Sequence, residues 1–526
     1  MESETQNLKS TLRETLNKTN RNTRKALANV LKEKIFTPVY DISLREMKSL
    51  AQERLKKVMS TKVVSIKDFL FDPENIFTTH EMLGYSDSSL ATKFTVQFNL
   101  FGGTIVGLGT KEHEKLYDGI DSLRIMGCFC LTELGYGNNA VEMETTAQWD
   151  DKEKLFIITT PTVLSQKYWI TNGAYYANFA VVFAQTTVKG KNEGINAFLV
   201  RLRDEKMSLC EGVVIDDMGC KQGMNGVDNA RIILRNVKVP RENLLNKLAD
   251  ISSEGVFKSQ ITNRRQRFLA ASNRLLSGRL CIASMSIAGT KLALLVTSKY
   301  GSVRLSNGKS GKSDTPVSTF GLFAASIVPL IARTIVLNIG LLNVRQVYSD
   351  YLLNADKYSH SHFNNVVRLV CAIKPLVAWH ANQTGNVCRE RCGGMGYLSI
   401  NRIEELIPFA HASITAEGDS AVLIHKVAKE YVDDFSKNLI ALVQPSLSQG
   451  SLQDLADLLR MDALLSLIKH REYALLRELA DKTMRNSKGI FDLWMLNESD
   501  LIQDLGKTFG ERICLEESIK KLGGNK

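Results

Sequence analysis

Glu417, in Ala416-Glu417-Gly418-Asp419, is a carboxylate suited to taking a proton from carbon. A base for that purpose is held against the carbon, and burial raises its pKa toward neutrality. Taken alone, Glu-Gly reads as a carboxylate at a helix start. A second set is Thr132, in Thr132-Glu133-Leu134-Gly135-Tyr136-Gly137-Asn138, with Trp169 and Thr171, in Lys167-Tyr168-Trp169-Ile170-Thr171-Asn172-Gly173. Threonine supplies a hydroxyl donor and tryptophan a flat apolar cover, a combination that suits a planar ring with a polar edge. Without its neighbours Trp169 is a core residue. In Arg391-Cys392-Gly393-Gly394-Met395-Gly396-Tyr397 the glycines let a backbone approach a ligand closely. Arg304, in Val303-Arg304-Leu305-Ser306, offers charge-assisted pairing to a phosphate.

The elements that position these residues change character along the chain. Up to about residue 128 the pattern is helical. Leu44, Met47, Leu50, Leu55 and Val58 form a stripe, with Asp41 or Ser43 as its cap. The glycines from Gly102 to Gly109 are expected to break helix and permit close packing. From residue 129 β-rich runs appear at 155–160, 180–185, 197–202 and 230–234, punctuated by glycine-containing turns and ended by Pro240. Helices return from about 262. Residues 275–296 are apolar almost all round, which implies burial in a bundle. Residues 306–313 read as a loop, 322–354 and 364–392 as long helices, and 435–526 as a polar helical section. The fold class is α+β: an N-terminal helical domain (1–128), a β-barrel-like middle domain (129–245), a four-helix-bundle domain (246–432) and a shortened helical section (433–526).

A length of 526 residues with 44% hydrophobic content supports several packed domains. The net charge of +11 reads as a solvated basic surface, some of it available to a phosphate-rich ligand, and no nucleic-acid-reading motif accompanies it. Nine cysteines include no Cys-x-x-Cys. Cys388 and Cys392 share a helix face, but nothing in sequence completes a metal set, so no metal and a reducing compartment are expected. No run of eighteen apolar residues occurs, so no integral membrane segment is expected. The N-terminus lacks the apolar core of a secretory signal, and Glu2 and Glu4 argue against a mitochondrial presequence. The C-terminal Leu522-Gly523-Gly524-Asn525-Lys526 is not a Ser-Lys-Leu-type peroxisomal address.

In this order the motifs resemble the acyl-CoA oxidase and dehydrogenase superfamily, over roughly residues 70–432. Gln97-Phe98-Asn99-Leu100-Phe101-Gly102-Gly103, the segment from Gly127 to Gly137, and Gly226-Val227-Asp228-Asn229 with Val239-Pro240-Arg241 look like the oxidase branch. The resemblance implies FAD. Phe129, Thr132, Gly137 and Asn138 would line its isoalloxazine, and Trp169 and Thr171 would sit at the ring face and N5. Gly394 would lie close to the cofactor, and Arg304 would meet the pyrophosphate of the FAD in a partner subunit. Glu417 would be the catalytic base, with its own N–H and a ribityl hydroxyl as donors to the thioester oxygen. The implied reaction is oxidation of a fatty acyl-CoA to trans-2-enoyl-CoA, with O2 as acceptor and H2O2 as product, by a peroxisomal homodimer working in fatty acid β-oxidation.

Four departures from the family pattern frame the alternatives. Trp-Ile-Thr-Asn-Gly is typical of the dehydrogenase branch, which passes electrons to an electron-transfer flavoprotein, and a mitochondrial location would go with it. Ala416 stands where an aromatic is usual, the segment 318–328 lacks the usual glutamines, and no Gln-Phe-Gly follows Arg304. These allow a non-catalytic member of the fold.

Overall fold

The computed structural model describes residues 2–272, 275–437, 460–486 and 489–523. Part of the expected C-terminal section, 438–459 with 487–488 and 524–526, lies outside the described residues. The chain forms two compact units, Asn22–Cys281 and Met1–Arg21 with Ile282–Lys526.

The first unit opens with helices, continues into strands and ends in helix from Arg264 onward. Helix α1 (Leu44–Met59) starts where the sequence places it: Ser43 is the cap, its Oγ accepting from Glu46 N at 3.3 Å while Glu46 Oε2 accepts from Ser43 N at 2.8 Å. This reciprocal pairing satisfies backbone donors that a helix start otherwise leaves open. Helices α2 (Pro73–Gly84) and α3 (Ser88–Phe94) follow. The expected break comes only at Gly109, which is extended at φ −79° and ψ 169°, while Gly102, Gly103 and Gly107 lie inside the helical run. The chain runs on from α3 through a π-helical stretch, Thr95–Gly102, into Gly103–Leu108. The glycines serve packing instead, since a Cβ on Gly102 would lie 2.5 Å from Ile66 Cγ2. Burial on every side stabilises the helix by more than glycine's low propensity costs it.

Nine strands form the two larger sheets: β1 (Gly127–Cys130), β2 (Thr146–Asp150), β3 (Leu155–Thr159), β4 (Lys167–Ile170), β5 (Phe179–Val188), β6 (Lys191–Arg201), β7 (Val213–Asp217), β8 (Ala230–Leu234) and β9 (Val237–Pro240); a short hairpin, Ala249–Ile251 with Phe257–Ser259, follows them. The four longest expected runs are β3, β5, β6 and β8. In the six-stranded sheet β5 is the hub, parallel to β1 and β2 and antiparallel to β6, with β3 and β9 beyond β2. A three-stranded sheet has the order β4-β8-β7. Trp149, Phe156, Phe198, Ile232 and Leu234 belong to one buried core of these strands. Pro240 ends β9 and leads into a short 3₁₀ turn.

The second unit is a helical bundle of α4 (Leu275–Val303), α5 (Gly321–Leu353), α6 (His360–Arg391), α7 (Ile403–Thr415), α8 (Ser420–Ser436), α9 (Met461–Met484) and α10 (Ser499–Leu522). The expected loop at 306–313 is the turn of a hairpin, Leu305–Asn307 with Ser313–Pro316. The C-terminal helices are packed in: α10 touches α5, α6, α8 and α9. Glu472 on α9 is 1% exposed and ion-pairs with Arg512 on α10, and the Tyr431 hydroxyl on α8 donates to it at 2.8 Å.

The absence of an eighteen-residue apolar run does not exclude helices of membrane-spanning length. The stretch Arg264–Val303 and α5 are both long and apolar enough to cross a membrane, because isolated polar residues break the apolar runs without lowering their average enough. The apolar window of the first is 78% buried, as in a core helix, and that of α5 is 39% buried. Leu322, Val328 and Ile331 on α5 are exposed.

Candidate active site

In the first unit the structure brings Phe129, Thr132, Trp169 and Thr171 to one region. Phe129 lies on β1, its ring edge-on to Phe183 at 5.3 Å. Just past β1, the Thr132 carbonyl accepts from Tyr168 N at 3.0 Å, which lays the Thr132 segment against β4. The β4–β8 register shifts between Lys167 and Ile170, and at this irregularity Trp169 has φ 61°. A bulge of this kind re-aims a side chain. It leaves Trp169 57% exposed, so this tryptophan is a presented surface and not a core residue. The Asn229 amide donates to Thr171 Oγ1 at 3.0 Å and fixes that hydroxyl. Gly137 and Asn138 are exposed on the connection between β1 and β2, and nothing lies within 4 Å of where a Cβ on Gly137 would stand.

Two fully buried ion pairs hold this region, and sequence reasoning did not single them out. Lys167 pairs with Glu133 at 2.9 Å and also donates to Phe183 O at 2.8 Å. Glu133 further accepts from Glu144 N and from Thr145 N, which ties both flanks of the Thr132 segment together. Lys93 on α3 pairs with Asp228 and donates to Asn172 Oδ1 at 2.9 Å. Asn172, at φ 67°, returns its amide to Lys93 O and Gly127 O. The turn after Trp169 is thus clamped between α3, β1 and the Asp228 loop. Burial pulls the pKa of both lysines down, and each carboxylate opposes that shift.

In the second unit Arg304 and Gly394 line one cleft of about 640 Å³, together with Arg391, Phe320 and Met395. Arg304 N donates to Tyr300 O and its carbonyl accepts from Val317 N at 2.8 Å, so the backbone is fixed while the side chain is exposed. Gly393 has φ 57°, and open space surrounds the Cα of both Gly393 and Gly394. Glu417 sits elsewhere in this unit, half-buried in the turn between α7 and α8, and is not part of that cleft's lining. Its φ is 59°. Asp419 caps α8, accepting from Ala421 N at 2.9 Å. Among the described residues no three His, Cys, Asp or Glu side chains gather as a metal site. Cys388 and Cys392 face Thr297, and burial pushes the Cys388 thiol up to about 11, the behaviour of an inert core cysteine.

Two family descriptions match: "Acyl-CoA dehydrogenase, middle domain" over residues 128–237 and "Acyl-CoA oxidase, C-alpha1 domain" over residues 273–432. Acyl-coenzyme A oxidase 2, peroxisomal, of Arabidopsis thaliana is 32% identical over 428 residues, 77% of this chain and 61% of that protein. The chain belongs to the acyl-CoA oxidase family. It spans about 60% of the length of the curated oxidases it matches. Among solved structures, acyl-CoA oxidase 1 from Yarrowia lipolytica superposes with a TM-score of 0.87 at 23% identity, covering 97% of this chain and 78% of that one. Acyl-CoA oxidase 2 of Caenorhabditis elegans, bound with FAD, ascaroside-CoA and ATP, gives 0.83 at 20% identity, covering 98% and 78%. These two establish the shared fold. The bulged Trp169 strand lies within residues 128–237, the stretch matched by the dehydrogenase middle domain.

Proposed function

We propose that this chain oxidises a fatty acyl-CoA to trans-2-enoyl-CoA with FAD, using O2 as electron acceptor and releasing H2O2. The residues fit a flavin. An exposed tryptophan on a bulge, a threonine hydroxyl anchored by Asn229, and an unobstructed Gly137 offer a cover, a donor and a close approach. Arg304, Arg391 and the Gly393-Gly394 backbone offer cations and open space to a diphosphate. FAD, when bound, supplies the acceptor for the β-hydride, which O2 and a proton then carry off as H2O2. The Glu417 carboxylate takes the α-proton, and its backbone N–H donates to the thioester oxygen as enolate charge develops. Within this reading the chain divides at 128, 245 and 432 as its composition suggests.

The observation that carries the reading is Glu417 itself. A side-chain-bearing residue sits in the left-handed region, at a turn between two long helices, at the position matching the family base. Residues in such backbone persist where the surroundings over-determine them, and they cluster at active sites.

We place the protein in the peroxisome, the compartment by which several of its relatives are named. We further propose a homodimer, supported by the exposed apolar residues of α5. The test is the visible spectrum of the purified protein before and after anaerobic addition of a saturated acyl-CoA. A flavin band that bleaches supports the chemistry, and no flavin band after incubation with FAD overturns it. Glu417→Gln is expected to keep the flavin band and lose turnover, and near-normal turnover removes this base. The dehydrogenase reading, favoured by Trp169-Ile170-Thr171-Asn172-Gly173, predicts slow recovery of the band in air. The oxidase reading predicts fast recovery.

A further inference from the structure

We propose that Lys374 is a positioning residue for the Glu417 carboxylate, an inference that rests on Glu417 being the base. Lys374 lies on α6 between Ile373 and Pro375 and is 0% exposed. Its ammonium donates to Ile414 O at 3.0 Å, to Gly418 O at 2.7 Å and to Ser420 Oγ at 3.2 Å. Ser420 Oγ in turn donates to Ile414 O at 2.8 Å. These acceptors straddle Glu417. Ile414 is in the last turn of α7, Gly418 follows Glu417 directly, and Ser420 opens α8.

The turn needs such a clamp. Ala416 is extended, at φ −68° and ψ 153°, and Glu417 and Gly418 then have φ 59° and 97°. The left-handed conformation costs a side-chain-bearing residue about 1 kcal/mol. Glycine makes the second step free but does not select it. The three donors of the ammonium meet three acceptors, so a charge removed from water keeps its hydrogen bonds. The cation also sits at the C-terminal carbonyls of α7, where the helix dipole favours it. By bonding the carbonyl next to Glu417, Lys374 fixes the direction in which that carboxylate leaves the backbone. A displacement of about 1 Å in a reacting group costs on the order of 100-fold in rate.

The test compares the full chain with Lys374→Met, Ser420→Ala, Glu417→Gln and the double variant Lys374→Met/Glu417→Gln. The probe is the saturated acyl-CoA that bleaches the wild-type flavin fastest, mixed anaerobically. Lys374→Met is expected to keep its FAD content and its KM, and to slow bleaching by about tenfold or more. Ser420→Ala, which trades a hydroxyl for hydrogen and folds without a stranded charge, is expected to slow bleaching by about threefold. Independently of turnover, amide exchange across 412–423 is expected to quicken in both variants and to stay unchanged around Trp169. In the Glu417→Gln background Lys374→Met is expected to change the residual rate no further.

An equal further loss in that background makes the lysine a general structural support and overturns the proposal. Wild-type bleaching in Lys374→Met overturns it as well. If Lys374→Met yields no flavoprotein, wild-type bleaching and exchange in Ser420→Ala overturn it. Wild-type bleaching in Glu417→Gln instead removes the base reading itself, so the two failures are distinct.

Discussion

Lys93→Met should be among the most damaging single substitutions in the first unit, and its partner should largely correct it. The side chains of Lys93 and Asp228 are both 0% exposed. Methionine retains most of the lysine stem, so packing changes little. What is lost is the cation facing Asp228 and the donor to Asn172 Oδ1. Asp228 would keep the Tyr175 N–H, at 3.1 Å, beside an otherwise uncompensated charge. Breaking a buried pair from one side costs about 3–5 kcal/mol. Adding Asp228→Asn removes that charge while keeping an acceptor for Tyr175, and lost hydrogen bonds of this kind cost about 1–2 kcal/mol. Adding Asp228→Asn is therefore expected to restore about 2–3 kcal/mol of the stability that Lys93→Met loses. Urea unfolding followed by tryptophan fluorescence measures it, and FAD titration reports on the turn that Asn172 closes. A single variant within about 1 kcal/mol of wild type, or a double variant as unstable as the single, would refute the claim that this pair anchors the Trp169–Gly173 turn.

Burial and nearby Arg333 hold the His380 imidazole down at about 4, and its Nε2 meets Thr334 Oγ1 at 2.7 Å. Because the folded value lies below the unfolded value of 6.5, stability is full above 6.5 and is lost as pH falls toward 4, by about 3 kcal/mol in all. His380→Gln should flatten that acid limb in urea titrations at stepped pH, and an unchanged limb counts against it. Ser43→Ala removes the cap of α1 and should cost about 1 kcal/mol, read as faster amide exchange in its first turns. Val328→Asp places a charge on the exposed face of α5 and should convert a dimer to monomers in sedimentation; an unchanged dimer excludes that face as the interface.

The sequence by itself determined what is local and periodic. The cap at Ser43, the strands β3, β5, β6 and β8, the long helices from residue 275 onward and the family motifs all depend on neighbours within a few positions. It also named the chemistry-bearing residues, since each sits in a motif. Tertiary structure decided matters that depend on partners far along the chain. The glycines at 102–109 read as a break because propensity is local, yet Gly102, packed against Ile66 and Ile120, sits inside a helical run that ends only at Gly109. The long helices at 275–303 and 321–353 were legible in sequence, but only burial separates a core helix from one with an open apolar face. The bulge that exposes Trp169 is a register shift between strands sixty residues apart, which no window of sequence displays. Lys374 looks like a misplaced charge in an apolar run, and nothing local marks Lys93 or Lys167 as buried. Each acquires its meaning from acceptors that the fold brings to it, because a buried ammonium is tolerable only where its donors are met.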